Sequence, residues 1–402
     1  MNYFINKYIL TLLIVSLLIL PISFNFFKYT ALISFLVIFI KTVIPIINSG
    51  SVRPFPFGHQ LTGFIFIFIF GFIGSVINDV NLIFAIKDSI GFLVYLMFPI
   101  LYLYIDKYDL FTFYRNLVVR IIIILAFLHI ILYVAYYLIF TDLTLVSLTT
   151  FNEVLYNYGL DWQLSASGGI LRINSNAGHY FLLGMALLCI DFLKNKGLDN
   201  VLFIIIVLAS ILADGHRILV ISAGVILLAA YGLMFLQLNK FRLYFILIFS
   251  ISLITIFNID FSLLSERFEF NSSSTSIRLE QIPALLNEID QKPLFGNGFG
   301  SNAVLIRSEE RPFMYEVEFF AVMMKIGIVG FVIYSALYFS IYKFAINYLY
   351  KLDGIVFVSL GIAYYLFMFS NGGMAMSPIS AIFHIISFLM IFSLQKNNNF
   401  GL

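Results

Sequence analysis

The chain is predicted to be an all-α, polytopic integral membrane protein with a large outer loop, and three observations predict it. Hydrophobic residues make up 61% of the 402 residues and charged residues only 11%, against about 25% charged in soluble domains. Apolar runs that reach about the 20 residues a helix needs to cross a bilayer core recur about twelve times. The lysines and arginines of the short connections fall on alternate sides of those runs. A soluble protein of this size could not bury so much apolar surface, so the solvent is lipid. Lipid leaves each run's backbone no partner but itself, which makes every run a helix.

In chain order the expected spans are 8–24, 29–47, 60–77, 82–105, 118–140, 175–193, 199–213, 216–236, 241–258, 313–341, 353–371 and 376–395. The first has Lys7 ahead of it and no small-x-small cleavage pattern behind it, so it reads as a retained span. The spans carrying Lys41 and Lys87 are expected to let those stems snorkel to a headgroup layer. The seventh and eighth spans are separated only by the turn Ala213-Asp214-Gly215-His216. With Lys7 inside, the inner connections hold Arg53; Lys107, Arg115 and Arg120; Lys194 and Lys196; Lys240 and Arg242; Lys343 and Lys351; and Lys396. The short outer connections hold little beyond Lys28. Both termini are therefore expected on the cytoplasmic side. The chain is read as one membrane domain, 1–402, with two long outer segments: 141–173, carrying the sole tryptophan Trp162, and 259–312. Long translocated segments escape the charge rule.

Composition also excludes partners. A net charge of +2 is too small to point to nucleic acid. The single cysteine, Cys189, rules out an internal disulfide and a thiolate metal site, and reads as a small buried apolar residue. His179 and His216 lie near outer span ends without a carboxylate cluster, a poor metal site. His129 and His384 fall inside spans and are expected to be packed or hydrogen-bonded. Neither a metal nor a cofactor is expected.

The second outer segment contains STSIRLEQIPALLNEIDQKPLFGNGFGS, from Ser274 to Ser301. Ile282, Leu285, Leu286 and Ile289 recur at helical spacing and predict a short amphipathic helix on the membrane surface. Ser276 is the expected N-cap, and Pro283 is expected to bend or restart the helix. Arg278 would sit near its start, pointing toward the membrane cavity. Gly296, Gly298 and Gly300 lack the strand and helix a dinucleotide fingerprint requires. They predict a flexible turn that permits close backbone approach. The outer face also carries Arg172, Arg217, Arg267, Arg307 and Arg311. One arginine at a helix end is ordinary headgroup anchoring. A cluster of planar donor forks suits phosphate oxygens, here those of a lipid diphosphate.

The order of Arg278, a short helix bearing Leu285, then Lys292-Pro293-Leu294-x-Gly296-x-Gly298-x-Gly300 resembles the hallmark of the O-antigen ligase and polymerase superfamily. Arg172 with Asn174 and Asn176 ahead of a span, Gly215-His216-Arg217 at an outer turn, and Glu316-x-Glu318 followed by Lys325-Ile-Gly327-Ile-Val-Gly330 are similar to further motifs of that family. The resemblance covers about 165–345, four motifs in order on one expected side of the membrane. It implies a metal-independent membrane glycosyltransferase with a GT-C-like helical fold. Its substrate would be a glycan on polyprenyl (undecaprenyl) diphosphate at the outer leaflet of the bacterial inner membrane, and its partners the lipid bilayer and a chain-length regulator protein. Ligases of the family carry a His-Asn pair where the large loop meets the next span. This chain has Glu316 and Val317 there and no histidine in 217–383, which favours a polymerase over a ligase that delivers glycan to lipid A-core. In that reading Arg172, Arg217 and Arg278 stabilise the leaving diphosphate, with Arg267 assisting. Glu316 or Glu318 would be the general base, with Asp214 a weaker candidate. Asn174, Asn176, His216, Lys292, Gly296, Gly298 and Gly300 would contact substrate. A transporter or flippase of lipid-linked glycan is the non-enzyme alternative, but such proteins show internal repeats and midplane polar groups; here there is no repeat and the polar residues gather at the outer face.

Overall fold

A computed structural model of the chain describes residues 2–19, 25–49, 58–140, 144–157, 163–167, 170–174, 177–195, 197–214, 216–236, 273–306, 309, 311–349, 351–369 and 376–399. The expected span at 241–258 lies outside these residues, as do Trp162, Asn176, Gly215, Arg267 and Arg307 and the side chains of Asn174 and Arg217. The described chain is mostly helical. Its elements are α1 (Asn2–Ile19), α2 (Asn25–Ser49), α3 (Gly58–Ile77), α4 (Leu82–Val94), α5 (Met97–Lys107), α6 (Phe111–Ile139), α7 (Leu145–Asn157), β1 (Gln163–Ser167), β2 (Ile170–Asn174), α8 (Gly178–Asn195), α9 (Leu198–Asp214) and α10 (Arg217–Leu236). They continue with α11 (Ser273–Gln291), α12 (Glu318–Tyr348), α13 (Lys351–Phe369) and α14 (Pro378–Asn399).

Among the described residues, five helical stretches are long and apolar enough to cross a membrane: Gly58–Ile77, Leu82–Lys107, Phe111–Ile139, Glu318–Ile346 and Pro378–Gln395. Shorter apolar helices accompany them, among them Tyr3–Leu18 and Asp353–Phe369. Hydrophobic side chains on all sides of a helix mean burial on all sides. α8 and α14 meet this condition, and residues 178–190 and 380–394 are buried without a break. Around this pair pack α4, α6, α9, α10, α12 and α13. The outer helices turn large apolar side chains such as Phe66, Ile69, Ile124 and Leu138 outward, as a lipid-facing surface requires.

One end of the bundle is tied by polar pairs. Arg115 at the start of α6 pairs with Asp191 near the end of α8, and Lys194 reaches Asp353 at 2.5 Å. The ammonium of Lys41, a residue expected to snorkel, donates to Asn6 Oδ1 on α1 at 2.8 Å. The expected single span 82–105 is one apolar stretch, Leu82–Lys107; regular helical bonding is interrupted only at Tyr95-Leu96, whose backbone stays in helical space. Pro99 accounts for the interruption, because it has no amide to donate to the Tyr95 carbonyl.

Three expectations need correction. The outer segment 141–173 is not only a loop before a helix. It holds α7 and an antiparallel hairpin that pairs Gln163 with Asn174 and Ser165 with Arg172, so the fold is not purely α. Asn152 of α7 clamps that hairpin, donating to the Leu164 carbonyl at 2.9 Å and accepting the Leu164 amide at 2.7 Å. In the second outer segment Ser276 is not an N-cap, since α11 begins at Ser273, and the helix runs through Pro283 without restarting. Its buried stripe is Gln281, Leu285 and Ile289, whereas Leu286 is 40% exposed.

α12 carries the third correction. It does not run straight as the single span expected at 313–341. Gly327 has φ +70° and ψ 173° inside it, outside helical space. Across that point the Phe319 and Phe331 rings lie 4.8 Å apart, edge to face. In a continuous helix twelve residues would separate them by about 18 Å along the axis. α12 is therefore two arms, 318–326 and 328–348, joined by a sharp bend. The short arm packs against α11 in a hydrophobic cluster of its own, with Leu285, Ile289, Ala303, Tyr315, Ala321 and Met324.

Candidate functional site

The bend in α12 leaves backbone groups that must find other partners, and the glycine run supplies them. The Asn297 amide donates to the Met324 carbonyl and the Gly298 amide to the Lys325 carbonyl, each at 2.8 Å. In return the Ile328 amide donates to the Pro293 carbonyl at 2.9 Å and the Val329 amide to the Leu294 carbonyl at 3.3 Å. Gly296, Gly298 and Gly300 all have positive φ, at 72°, 93° and 74°. A Cβ on Gly298 would lie 2.2 Å from the Ser75 nitrogen of α3, and one on Gly300 would lie 2.4 Å from the Ala85 nitrogen of α4. Only glycine allows this approach. The close approach read from sequence is present, but the turn is a buried wedge, not a free loop.

The amides of the run are used internally. Gly296 donates to the Lys292 carbonyl at 3.0 Å and Gly300 to Asp88 Oδ2 at 2.8 Å. Asp88 Oδ1 accepts from the Lys325 ammonium at 2.8 Å, and both side chains are buried. These glycines thus take a packing role in place of the substrate contact expected of them. Lys292 is exposed at the same edge and donates to Asn78.

With the run docked, α11 is fixed over one end of the bundle. Gln281 accepts the Glu316 amide at 2.9 Å, which ties the chain entering α12 to the helix that carries Arg278. Arg278 Nε donates to Glu316 Oε2 at 3.1 Å; the arginine side chain is 44% exposed and the glutamate 11%. Glu318 opens the short arm and is fully buried, close enough to the Tyr334 phenol for its charge to act on it. Glu316 is therefore held by Arg278 and Gln281, while Glu318 is withdrawn from solvent.

The other half of the site comes from the turn between α9 and α10. Asp214 ends α9 fully buried, and its Oδ1 takes a hydrogen bond from His216 Nδ1. Its Oδ2 makes no hydrogen bond among the described residues and rests against Gly178, the first residue of α8, where a Cβ would lie 2.8 Å away. Arg217 begins α10 immediately after His216. The charges of Arg172 on β2 and Arg278 on α11 both act on His216. Burial pulls the His216 imidazole down, but the hydrogen bond and charge of Asp214 outweigh it and leave the group above its ordinary value, against the two arginines. His129 of α6 anchors the arrangement. It hydrogen-bonds the Ser210 carbonyl at 3.1 Å and the Ile173 backbone, pinning β2 beside α9.

The structure thus pairs Asp214 with His216 and Arg278 with Glu316, and the charges of Arg172 and Arg278 act on His216, with Arg217 next in the chain. It places Lys292 and the glycines in the supporting wedge. Sequence reading missed the pairing of Asp214 with His216, the anchoring by Gln281, and Asp88. The Asp-x-His spacing at a span junction was the one available signal. Among the described residues no cluster of histidine, cysteine or carboxylate side chains could hold a metal. No protein-family model and no curated protein matches the chain.

Proposed function

We propose that the chain is a membrane glycosyltransferase that polymerises repeat units carried on polyprenyl diphosphate. The observation that carries this is the action of the Arg172 and Arg278 charges on His216, paired with Asp214 in the turn from which α10 starts at Arg217. α9 spans about 25 Å by its 17 residues, and its far end lies by the Lys194 and Arg115 pairs. The arginine cluster is therefore at the opposite end of the bundle from the lysine-rich connections. In this reading the lysine-rich end is cytoplasmic, the spans number about twelve, the fold is GT-C-like, and the cluster faces outward from the bacterial plasma membrane. The family resemblance on Arg278 and the Lys292–Gly300 run supports the same assignment.

The chemistry follows from charge. A hydroxyl of one lipid-linked repeat attacks the anomeric carbon of the growing glycan, and the polyprenyl diphosphate leaves. Negative charge grows on its bridging oxygen, so fixed guanidinium donors bind the transition state more tightly than the ground state. Arg278 is suited to this because it is partly exposed yet held by Glu316.

The test is reconstitution of the full chain in vesicles with lipid-linked repeat units. A polymerase lengthens the glycan with no other protein present. A ligase would need lipid A-core, and a flippase would only move substrate across the bilayer. Arg278→Ala is expected to cut elongation by about 10²–10³-fold. Arg278→Lys should restore only part, because a point charge lacks the planar fork. Wild-type elongation rates in Arg278→Ala, with normal membrane insertion, would remove the arginine from the mechanism.

A further inference from the structure

We infer that His216, oriented by Asp214, is the catalytic base that takes the proton from the attacking sugar hydroxyl. This rests on the glycosyl-transfer reading above. Removing a hydroxyl proton requires a group that is accessible, basic and held in one tautomer. Glu316 is engaged by Arg278 and Glu318 is fully buried, so neither expected carboxylate meets the first condition. His216 does: its side chain is 38% exposed while Asp214 is 0% exposed. A carboxylate has no proton to give, so His216 Nδ1 carries the hydrogen of that bond and Nε2 keeps its lone pair. Buried polar atoms are ordinarily paired, yet Asp214 Oδ2 has no hydrogen-bond partner among the described residues. Its charge is balanced most directly by an imidazolium, the species that forms when His216 takes a proton. A buried carboxylate that orients a histidine and stabilises its cation is the arrangement general-base catalysis uses on unrelated folds.

The step balances as follows. His216 Nε2 takes the hydroxyl proton as the acceptor oxygen bonds to the anomeric carbon. The anomeric carbon–oxygen bond to the diphosphate breaks, and its electron pair stays on the diphosphate oxygen near Arg278 and Arg172. The imidazolium then releases its proton to water, which resets the site.

Among the described residues, the charged and titratable groups that act on the dyad are Arg172 from β2, Arg278 from α11, His179 from α8 and His129 from α6. The base works as neutral imidazole, so the rate must rise with pH through the His216 titration. Asp214 raises that titration and the two arginines lower it. Loss of the carboxylate should therefore move the acid limb to lower pH, and loss of Arg278 should move it to higher pH.

The experiment measures elongation of polyprenyl-diphosphate-linked repeat units by the reconstituted full chain across pH 5–9. Wild-type protein should show an acid limb. His216→Gln should lose about 10²–10⁴-fold in turnover and lose the limb. Asp214→Asn should be slower, with the limb displaced downward. A wild-type profile with no acid limb overturns the assignment without any variant being needed. So does a His216→Gln protein that keeps either its rate or its limb, and in both cases the polymerase reading stands. Failure of the wild type to elongate at all overturns both.

Discussion

Lys325 and Asp88 sit 237 positions apart in sequence and meet at 2.8 Å. Neither side chain has meaningful access to solvent, so each is tolerable only because of the other. Lys325→Met should therefore cost about 3–5 kcal/mol, the usual penalty for stranding a buried charge. Adding Asp88→Leu should recover part of this and not all, since the Gly300 amide then loses its acceptor at about 1–3 kcal/mol. Thermal unfolding in detergent would check the order wild type, double variant, single variant. A double variant less stable than Lys325→Met would refute the pairing argument. At this scale the sequence exposes some residues and conceals others. Arg172, Arg217 and Arg278 stood out because cations on the side expected to be outside break the expected charge pattern. Asp88 did not, because beside Lys87 at a helix end it looks like an ordinary headgroup residue. The role of His216 was hidden for another reason: an orienting carboxylate two residues away has meaning only once Asp214 is seen to be buried.

Helices were the most legible elements, because apolar runs of span length have few alternatives in lipid. Every expected run within the described residues overlaps a helix. The hairpin was not legible: its strands are five residues each and alternate too briefly to rise above a loop. The bend in α12 was equally silent, since Lys325-Ile-Gly327-Ile-Val reads as unbroken hydrophobic helix until the glycine run supplies alternative bonds. Gly298 shows how tightly those two pieces fit. Gly298→Ala would force a side chain to φ +93° and set its Cβ 2.2 Å from the Ser75 nitrogen. Backbone strain of roughly 1–3 kcal/mol and overpacking of similar size, also roughly 1–3 kcal/mol, should both appear as a lowered unfolding midpoint. Gly224→Ala is the matching control. Nothing lies within 4 Å of its Cβ position, and alanine is the better helix former by about 1 kcal/mol. Equal midpoints for the two variants would mean that the wedge does not bear on stability.

The molecule as a whole has two unlike ends. Arg115, Asp191, Lys194 and Asp353 close one with simple ion pairs. At the other, the charges of Arg172 on a strand and Arg278 on a surface helix act on His216, which pairs with the buried Asp214. Charge asymmetry in the sequence led us to expect two different ends. It could not announce which acids would be withdrawn from solvent, because that depends on where the bent α12 delivers Glu316 and Glu318.

The exchange of bonds at the bend also makes chain continuity dispensable at one place. Residues 293–298 and 324–329 grip each other across the segment between them, and Asp88 holds Lys325 from the same side of that segment. Val304, in this connection, is 89% exposed, so a protease site introduced there should be cut readily. The nicked molecule should then behave as a two-piece protein, with its halves co-eluting through detergent purification and Arg278 of one half still paired with Glu316 of the other. Separation of the fragments on cleavage would mean that the covalent link, and not the interlocked backbone, holds the surface helix in place. If they remain together, the protein can be produced as two complementary fragments. Each could then carry its own variants on one side of the same site.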